Sequence, residues 1–372
     1  MQKIIVVGAG ILGASTAYQL AKAGAEVIII DRQDDGQATS AAAGIVCPWI
    51  SQRRNKAWYH LAKNGAAFYP GLIDELKRDG ETETGYAQVG AVSLHTEEGK
   101  LMAMKERAEK RKEDAPEMGT ITLLSPLETK ELFPPLSSEY AAVHVSGAAR
   151  VDGRALRDSL LRSSQKNGAK LMYGEAILSY EDSQVNGVTF EGKFISADQV
   201  IVCAGAWASG LLKPLGVNFK VSFQKAQIIH LDSPIEGTDN WPVVMPPSDQ
   251  YLLAFDHNKI VAGATHENTE VFDNRVTAGG LQEVFNKAMN TAPGLADSSF
   301  VEARVGFRPF TPGFLPVIGP LPDWQGIIIA NGLGASGLTM GPYIGSQLAN
   351  LALDRDLDID LDMYDVRGAL EK

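Results

Sequence analysis

The sequence predicts an α/β fold in which a parallel-sheet domain is interrupted by a sheet-rich insertion. Three observations lead there. The opening residues join an apolar strand (4–7), Gly8-x-Gly10-x-x-Gly13, and a helix with small or apolar residues on one face (Ala14, Ala17, Tyr18, Ala21). A second apolar strand (27–30) then ends on Asp31. A second glycine-rich strand–loop–helix returns far along the chain, where 326–330 run into 331–337. Between the two, segments alternate polar and apolar residues with the period of sheet strands.

The first stretch is a βαβ dinucleotide fingerprint with its context intact. Gly8 permits the tight turn, Gly10 lets the backbone approach a pyrophosphate, and Gly13 allows close helix–strand packing. The helix N-terminus offers free N–H groups and a positive dipole end to phosphates. Asp31 is placed to accept hydrogen bonds from an adenosine ribose. It favours an unphosphorylated ribose, although Arg32 beside it pulls the other way.

The remaining elements follow in order. Residues 97–112, rich in Lys and Glu, predict a helix with a solvated face. Residues 154–166 predict an amphipathic helix stopped by Asn167-Gly168, and 170–173 a strand. Strands are expected at 177–180, 184–190 and 193–196, with Asn186-Gly187 as a hairpin signal. Residues 199–207 read as a buried strand that breaks at a glycine. Residues 219–231, 241–245, 250–256 and 259–265 read as one antiparallel sheet. A helix is expected at 339–353, with Pro342 in its first turn, where proline is tolerated.

Composition narrows the function. The 372 residues suit two domains. A hydrophobic content of 45% with 21% charged residues is that of an ordinary globular protein. The net charge of -11 carries no basic stripe of the kind that binds nucleic acid. The six His and two Cys (Cys47 and Cys203) have no metal-ligand spacing, so no metal is expected. Apolar runs are strand-length, which argues against a membrane span. The fingerprint strand starts at Ile4, leaving no room for a cleaved leader. The default location is cytoplasmic.

These motifs, taken in order, resemble the FAD-dependent amine and amino-acid oxidoreductases, which include glycine oxidase, D-amino acid oxidase, D-amino acid dehydrogenase and sarcosine oxidase. Seven pieces carry the resemblance: GAGILG with Asp31, Ala38-Thr-Ser-Ala-Ala-Ala-Gly44, Val151-Asp152, Val202-Cys-Ala-Gly-Ala-Trp207, Ala262-Gly-Ala-Thr-His-Glu267, Gly306-Phe-Arg-Pro309 and Gly332-Leu-Gly-Ala-Ser-Gly337. The resemblance implies a discontinuous Rossmann-like FAD-binding domain (1–85, 146–216, 306–372). It also implies an inserted antiparallel-sheet α+β substrate domain (86–145, 217–305). The implied activity is oxidative deamination of a small amino acid or N-substituted amino acid. A hydride passes from the amine-bearing carbon to flavin N5, and the imine is then hydrolysed. Dioxygen or another acceptor would reoxidise the flavin.

On the same resemblance the cofactor is held by Gly8, Gly10, Ile11, Leu12, Gly13, Asp31 and Arg32. Thr39, Ser40, Ala43, Gly44 and Ile45 would follow, then Ala176 and Ile177, and Cys203, Ala204, Gly205 and Trp207. The last loop would contribute Gly334, Ala335, Ser336, Gly337, Leu338 and Thr339. Residues 41–44 have almost no side chain, so a planar ring could lie against their backbone. Cys203 reads as a small buried hydrophobe. N–H groups after the loop 332–337 would stabilise negative charge on the reduced flavin. Arg308 takes the family's carboxylate-binding role, which suits a rigid guanidinium fork, and also lies against the cofactor. Tyr251 would help hold that carboxylate.

The chain also departs from the pattern. Ala335 stands where glycine oxidase has a second arginine, and Gly332-Leu333-Gly334 where D-amino acid dehydrogenases often have Gly-His-Gly. These departures leave the particular amine open. No Cys follows Arg308 where monomeric sarcosine oxidases tether their flavin, so non-covalent FAD is expected. Oxidase and dehydrogenase both remain open, and with a dehydrogenase so does peripheral membrane association. A homo-oligomer is compatible with the resemblance. The alternatives are an NAD(P)H-linked flavoprotein reductase, against which stands the lack of a second GxGxxG or a CxxC, and a non-catalytic FAD-binding subunit.

Overall fold

A computed structural model describes residues 2–371. Its first sheet has six strands in the order Val317–Pro320, Ile327–Asn331, Gln199–Val202, Lys3–Val7, Glu26–Asp31, Lys170–Tyr173. All neighbours are parallel except the edge pair formed by Val317–Pro320. Both faces are covered. Ile4, Val6, Val27 and Ile29 pack into one core with the helices Ile11–Lys22 and Gly337–Ala352. Ile5, Val7, Ile28 and Ile30 pack into another, beneath a three-stranded sheet. This two-sided burial is why the strands read as unbroken apolar runs.

The second large sheet has nine strands. It contains the expected strands, observed as Ser222–Asp232, Val243–Met245, Tyr251–Ala254 and Lys259–Gly263. It is mixed, because Val243–Met245 runs parallel to Ala91–His95. Three of its strands, Ala91–His95, Ile121–Leu124 and Ala141–Val145, lie in a region the sequence reading left almost blank. Its longest strand, Ser299–Phe310, was also missed; it pairs antiparallel with Ser222–Asp232 along its length. The expected α/β class with an inserted sheet is the fold observed.

Two local expectations need correction. Asn186-Gly187 makes no hairpin turn but lies inside the strand Gln184–Phe190, at a bulge. Gly187 is there because a Cβ would stand 2.1 Å from the Ile195 carbonyl oxygen of the neighbouring strand. The last long helix starts at Gly337, earlier than expected, so Pro342 falls in its second turn. A proline there removes the N–H that would bond the carbonyl four residues back. That carbonyl, of Leu338, accepts a 2.6 Å hydrogen bond from the Tyr69 hydroxyl instead. No helix among the described residues is long and apolar enough to cross a membrane.

Candidate functional site

A cavity of about 960 Å³ is lined by residues from both large sheets. That is the upper end of ordinary ligand pockets, about 300–1,000 Å³. One end is built by the fingerprint. Gly8 has φ +102°, and a Cβ on it would stand 2.5 Å from the Cys203 carbonyl oxygen. A Cβ on Gly13 would fall 1.8 Å from the Gly8 carbonyl oxygen. Gly13 therefore packs helix on strand and does not line the cavity. The Ile11 N–H donates to Thr39 Oγ1 at 2.9 Å, which ties the loop after Asp31 to the helix start.

Asp31 is buried and heavily engaged. Its Oδ2 accepts from the Ala9 N–H at 2.6 Å; its Oδ1 accepts from the Gln33 N–H at 2.7 Å and Gln37 Nε2 at 2.9 Å. The carboxylate expected to meet a ribose thus also fixes the glycine turn. Arg32 pairs with Asp34 at 2.9 Å and Glu175 at 3.1 Å, and hydrogen bonding to Asp34 raises its pKa. Its guanidinium is committed to two acids. Ala176 and Ile177 line the cavity beside it.

Ala43, Gly44 and Ile45 also line the cavity, as do Cys203, Ala204, Gly205 and Trp207. Gly44 has a packing reason of its own: a Cβ would lie 1.8 Å from the Val151 carbonyl oxygen. Burial pushes the thiols of Cys47 and Cys203 up to about 12, so neither is a thiolate. Ser40, like Gly13, is an expected residue that does not line the cavity. It lines a separate polar cavity, where its hydroxyl accepts from Arg157 and its carbonyl from Arg154, each at 3.0 Å.

Gly334, Ala335, Ser336, Gly337, Leu338 and Thr339 line the cavity where the helix Gly337–Ala352 begins. In neither this helix nor Ile11–Lys22 does the N-cap residue supply a side-chain cap, and neither has an acid in its first turn. In Ile11–Lys22, Thr39 occupies only the Ile11 N–H. Two helix N-termini therefore present unsatisfied N–H groups to one cavity. This donor set fits a long, anionic dinucleotide.

The far end holds Arg308, on Ser299–Phe310, and Tyr251. Arg308 has no acidic side chain within 4.0 Å among the described residues. Burial pushes the Tyr251 hydroxyl up, and the charge of Arg308 and its hydrogen bond partly offset this. Sequence reasoning missed Asp249, His266, Phe272 and Trp58. His266 Nδ1 stands 3.4 Å from Asp249 Oδ2, and Lys287 Nζ holds Asp249 Oδ1 at 2.9 Å. Burial and then Arg308 hold the His266 pKa below its ordinary value, so the ring is neutral near pH 7. The ring of Phe272 stacks between Trp207 (5.1 Å) and Phe223 (4.1 Å). His266 stood in a motif that the sequence did offer, but no spacing linked it to Asp249.

The family model described as FAD dependent oxidoreductase matches residues 3–351. The chain belongs to this family. FAD is its cofactor, and it is an oxidoreductase of the branch that acts on amines and amino acids. It is 61% identical to an uncharacterized oxidoreductase, YurR, of Bacillus subtilis (strain 168), over 371 residues covering 100% of both chains. It is 31% identical to a glycine oxidase of Pseudomonas aeruginosa, covering 99% of this chain and 100% of the relative. Among solved structures, an iminodiacetate oxidase from Chelativorans sp. BNC1 superposes with a TM-score of 0.95 at 45% identity. That match covers 97% of this chain and 98% of the other. No group of three or more His, Cys, Asp or Glu that could hold a metal occurs among the described residues of this family member.

Proposed function

We propose that this chain oxidises the C–N bond of a small amino acid or N-substituted amino acid, whose carboxylate is held by Arg308 and Tyr251. The observation that carries the reading is Arg308: a cation in the cavity wall with no acidic partner of its own. A guanidinium fork matches a carboxylate and holds it with two parallel hydrogen bonds. The half-buried Tyr251 side chain keeps its hydroxyl protonated at neutral pH and donates a further one. Fixing the carboxylate fixes the adjacent carbon, so the reaction gains chiefly from orientation.

FAD, bound along the cavity, supplies the hydride acceptor. The N-terminus of Gly337–Ala352 stabilises negative charge placed before it. A substrate amine that arrives neutral needs no protein base at the C–H step; His266, neutral near pH 7, is a hydrogen-bond acceptor at the same end of the cavity. The imine product hydrolyses in water to a keto or aldehyde acid. The structural relative of 45% identity makes iminodiacetate the first compound to try, followed by N-methyl amino acids and glycine.

The test is anaerobic titration of the purified yellow protein with that panel. Bleaching of the visible band by one amine supports the reading. Bleaching by NADH and by no amine replaces it with a reductase.

A further inference from the structure

At the end of the cavity that holds Arg308, the wall also carries the opposite charge. Asp249 and His266 line the cavity together with Arg308 and Tyr251. Asp249 stands two residues before the strand Tyr251–Ala254, and His266 lies in the turn between Lys259–Gly263 and Glu267–Thr269. Tyr251 pairs with Gly263, which brings the two segments side by side. The strand Ser222–Asp232 then sets the distance to the cation. Its Gln224 pairs with Arg308 on one side and with Asn268 on the other. Arg308 and the segment after His266 are therefore two strand spacings apart, about 10 Å from backbone to backbone. That gap suits a small amino acid held between side chains from both.

The charges there complement a zwitterion. Lys287 Nζ holds Asp249 Oδ1 at 2.9 Å and is shared with Glu283 at 2.8 Å. The other oxygen, Oδ2, stands 3.4 Å from His266 Nδ1. The charged groups around the ring are Arg308, Asp249, Lys287 and Glu283, with the neutral Tyr251 hydroxyl at the same end. The adjacent Glu267 is taken up by Gln227 Nε2 and Thr265 Oγ1, each at 2.7 Å. Burial and the Arg308 charge outweigh the pull of Asp249 and keep the ring neutral near pH 7. A neutral imidazole with an acid beside Nδ1 keeps its proton there and presents a lone pair on Nε2. The His266 side chain is 36% exposed, so a proton taken up there has a way out to water.

We infer that His266 is a catalytic base that takes a proton from the substrate ammonium, and that Asp249 positions it. An ammonium nitrogen has no electron pair with which to drive hydride from its carbon. In the proposed step an N–H bond of the ammonium breaks, the proton bonds to His266 Nε2, and the electron pair stays on the amine nitrogen. The neutral amine is then oxidised as proposed above, and the imidazolium returns its proton to water. Asp249 opposes the charge that forms on the ring and fixes its orientation. The inference rests on Arg308 as the carboxylate clamp, because that contact places the amine at this end.

The test is the pH profile of holoenzyme kcat/KM for iminodiacetate and for N-methylglycine. In the parent protein kcat/KM rises with pH only through the depressed pKa of His266, below its ordinary value of about 6.5, and is flat from about pH 7 to about pH 8.5. His266→Gln lowers it by about 10²-fold at pH 7. The loss shrinks about tenfold per pH unit above that, because only substrate with a neutral amine then reacts. Asp249→Asn lowers kcat/KM by about 5- to 10-fold and moves the acid limb to lower pH, since it removes the charge that raises the His266 pKa. Both variants keep the visible flavin band. Should His266→Gln lose its flavin, the acid limb of Asp249→Asn decides, and an unmoved limb overturns the base. A His266→Gln profile parallel to that of the parent, or an equal rate at pH 7, overturns the base and leaves the Arg308 reading standing. A parent protein that neither amine reduces overturns both.

Discussion

At the fingerprint end of the cavity the ligand-facing donors belong to the backbone; at the Arg308 end they belong to side chains. Gly8, Gly10 and the first turn of Ile11–Lys22 sit within six residues of each other, and their conformation follows from local sterics. Arg308, Tyr251, His266 and Trp58 come from four separated segments and meet only when the nine-stranded sheet closes on the rest. A backbone site is intolerant of any added atom. A side-chain site tolerates substitution in the fold and loses selectivity instead.

Variants at the two ends separate these behaviours. The largest effect is expected from Gly13→Ala, because its methyl would stand 1.8 Å from a carbonyl oxygen. The helix must move off the strand, an overpacking cost of about 1–3 kcal/mol or more. The protein should purify colourless or in poor yield, read from the ratio of visible to ultraviolet absorbance. A yellow, stable Gly13→Ala protein would break the comparison.

Arg308→Ala should keep its FAD and its thermal stability while kcat/KM for a carboxylate substrate falls by about 10²-fold, since a charged contact made to the substrate is lost. An unchanged kcat/KM would remove Arg308 from the site. Asp31→Asn comes next. It turns an acceptor toward the Ala9 and Gln33 N–H groups into a partial donor, so FAD affinity should fall about tenfold, measured by flavin release on dilution. Tyr251→Phe should cost least, about fivefold in KM with kcat nearly kept, because one neutral donor disappears while Arg308 stays.

The same contrast explains what the sequence made legible. The βαβ unit was readable because turn, cap and period are properties of neighbouring residues. The bound on Asp31 was readable too, but its three backbone and side-chain partners were not, since Gln37 reaches it only through the loop geometry. Gly187 misled because an Asn-Gly pair signals a turn by local propensity, whereas a close approach of Ile195 decided its place. Ser40 is a similar case: the resemblance places it in a small-residue loop beside the cofactor, whereas three-dimensional packing turns it toward Arg154 and Arg157. His266 and Asp249 lie seventeen positions apart in sequence with no periodic relation, and only the sheet brings them to 3.4 Å.

The order of strands also has a consequence for synthesis. Lys3–Val7 finds one sheet neighbour almost at once, but the other is Gln199–Val202, and the loop that completes the cavity wall begins at Gly332. A ribosome adding ~5–20 residues per second leaves the fingerprint waiting tens of seconds for the rest of its pocket. During that time its apolar strand edge is open, and FAD has only part of its wall to bind. Flavin is therefore a late guest in the life of each molecule, taken up after the chain has nearly left the ribosome, and cellular shortage of FAD would be felt first as unstable newborn protein.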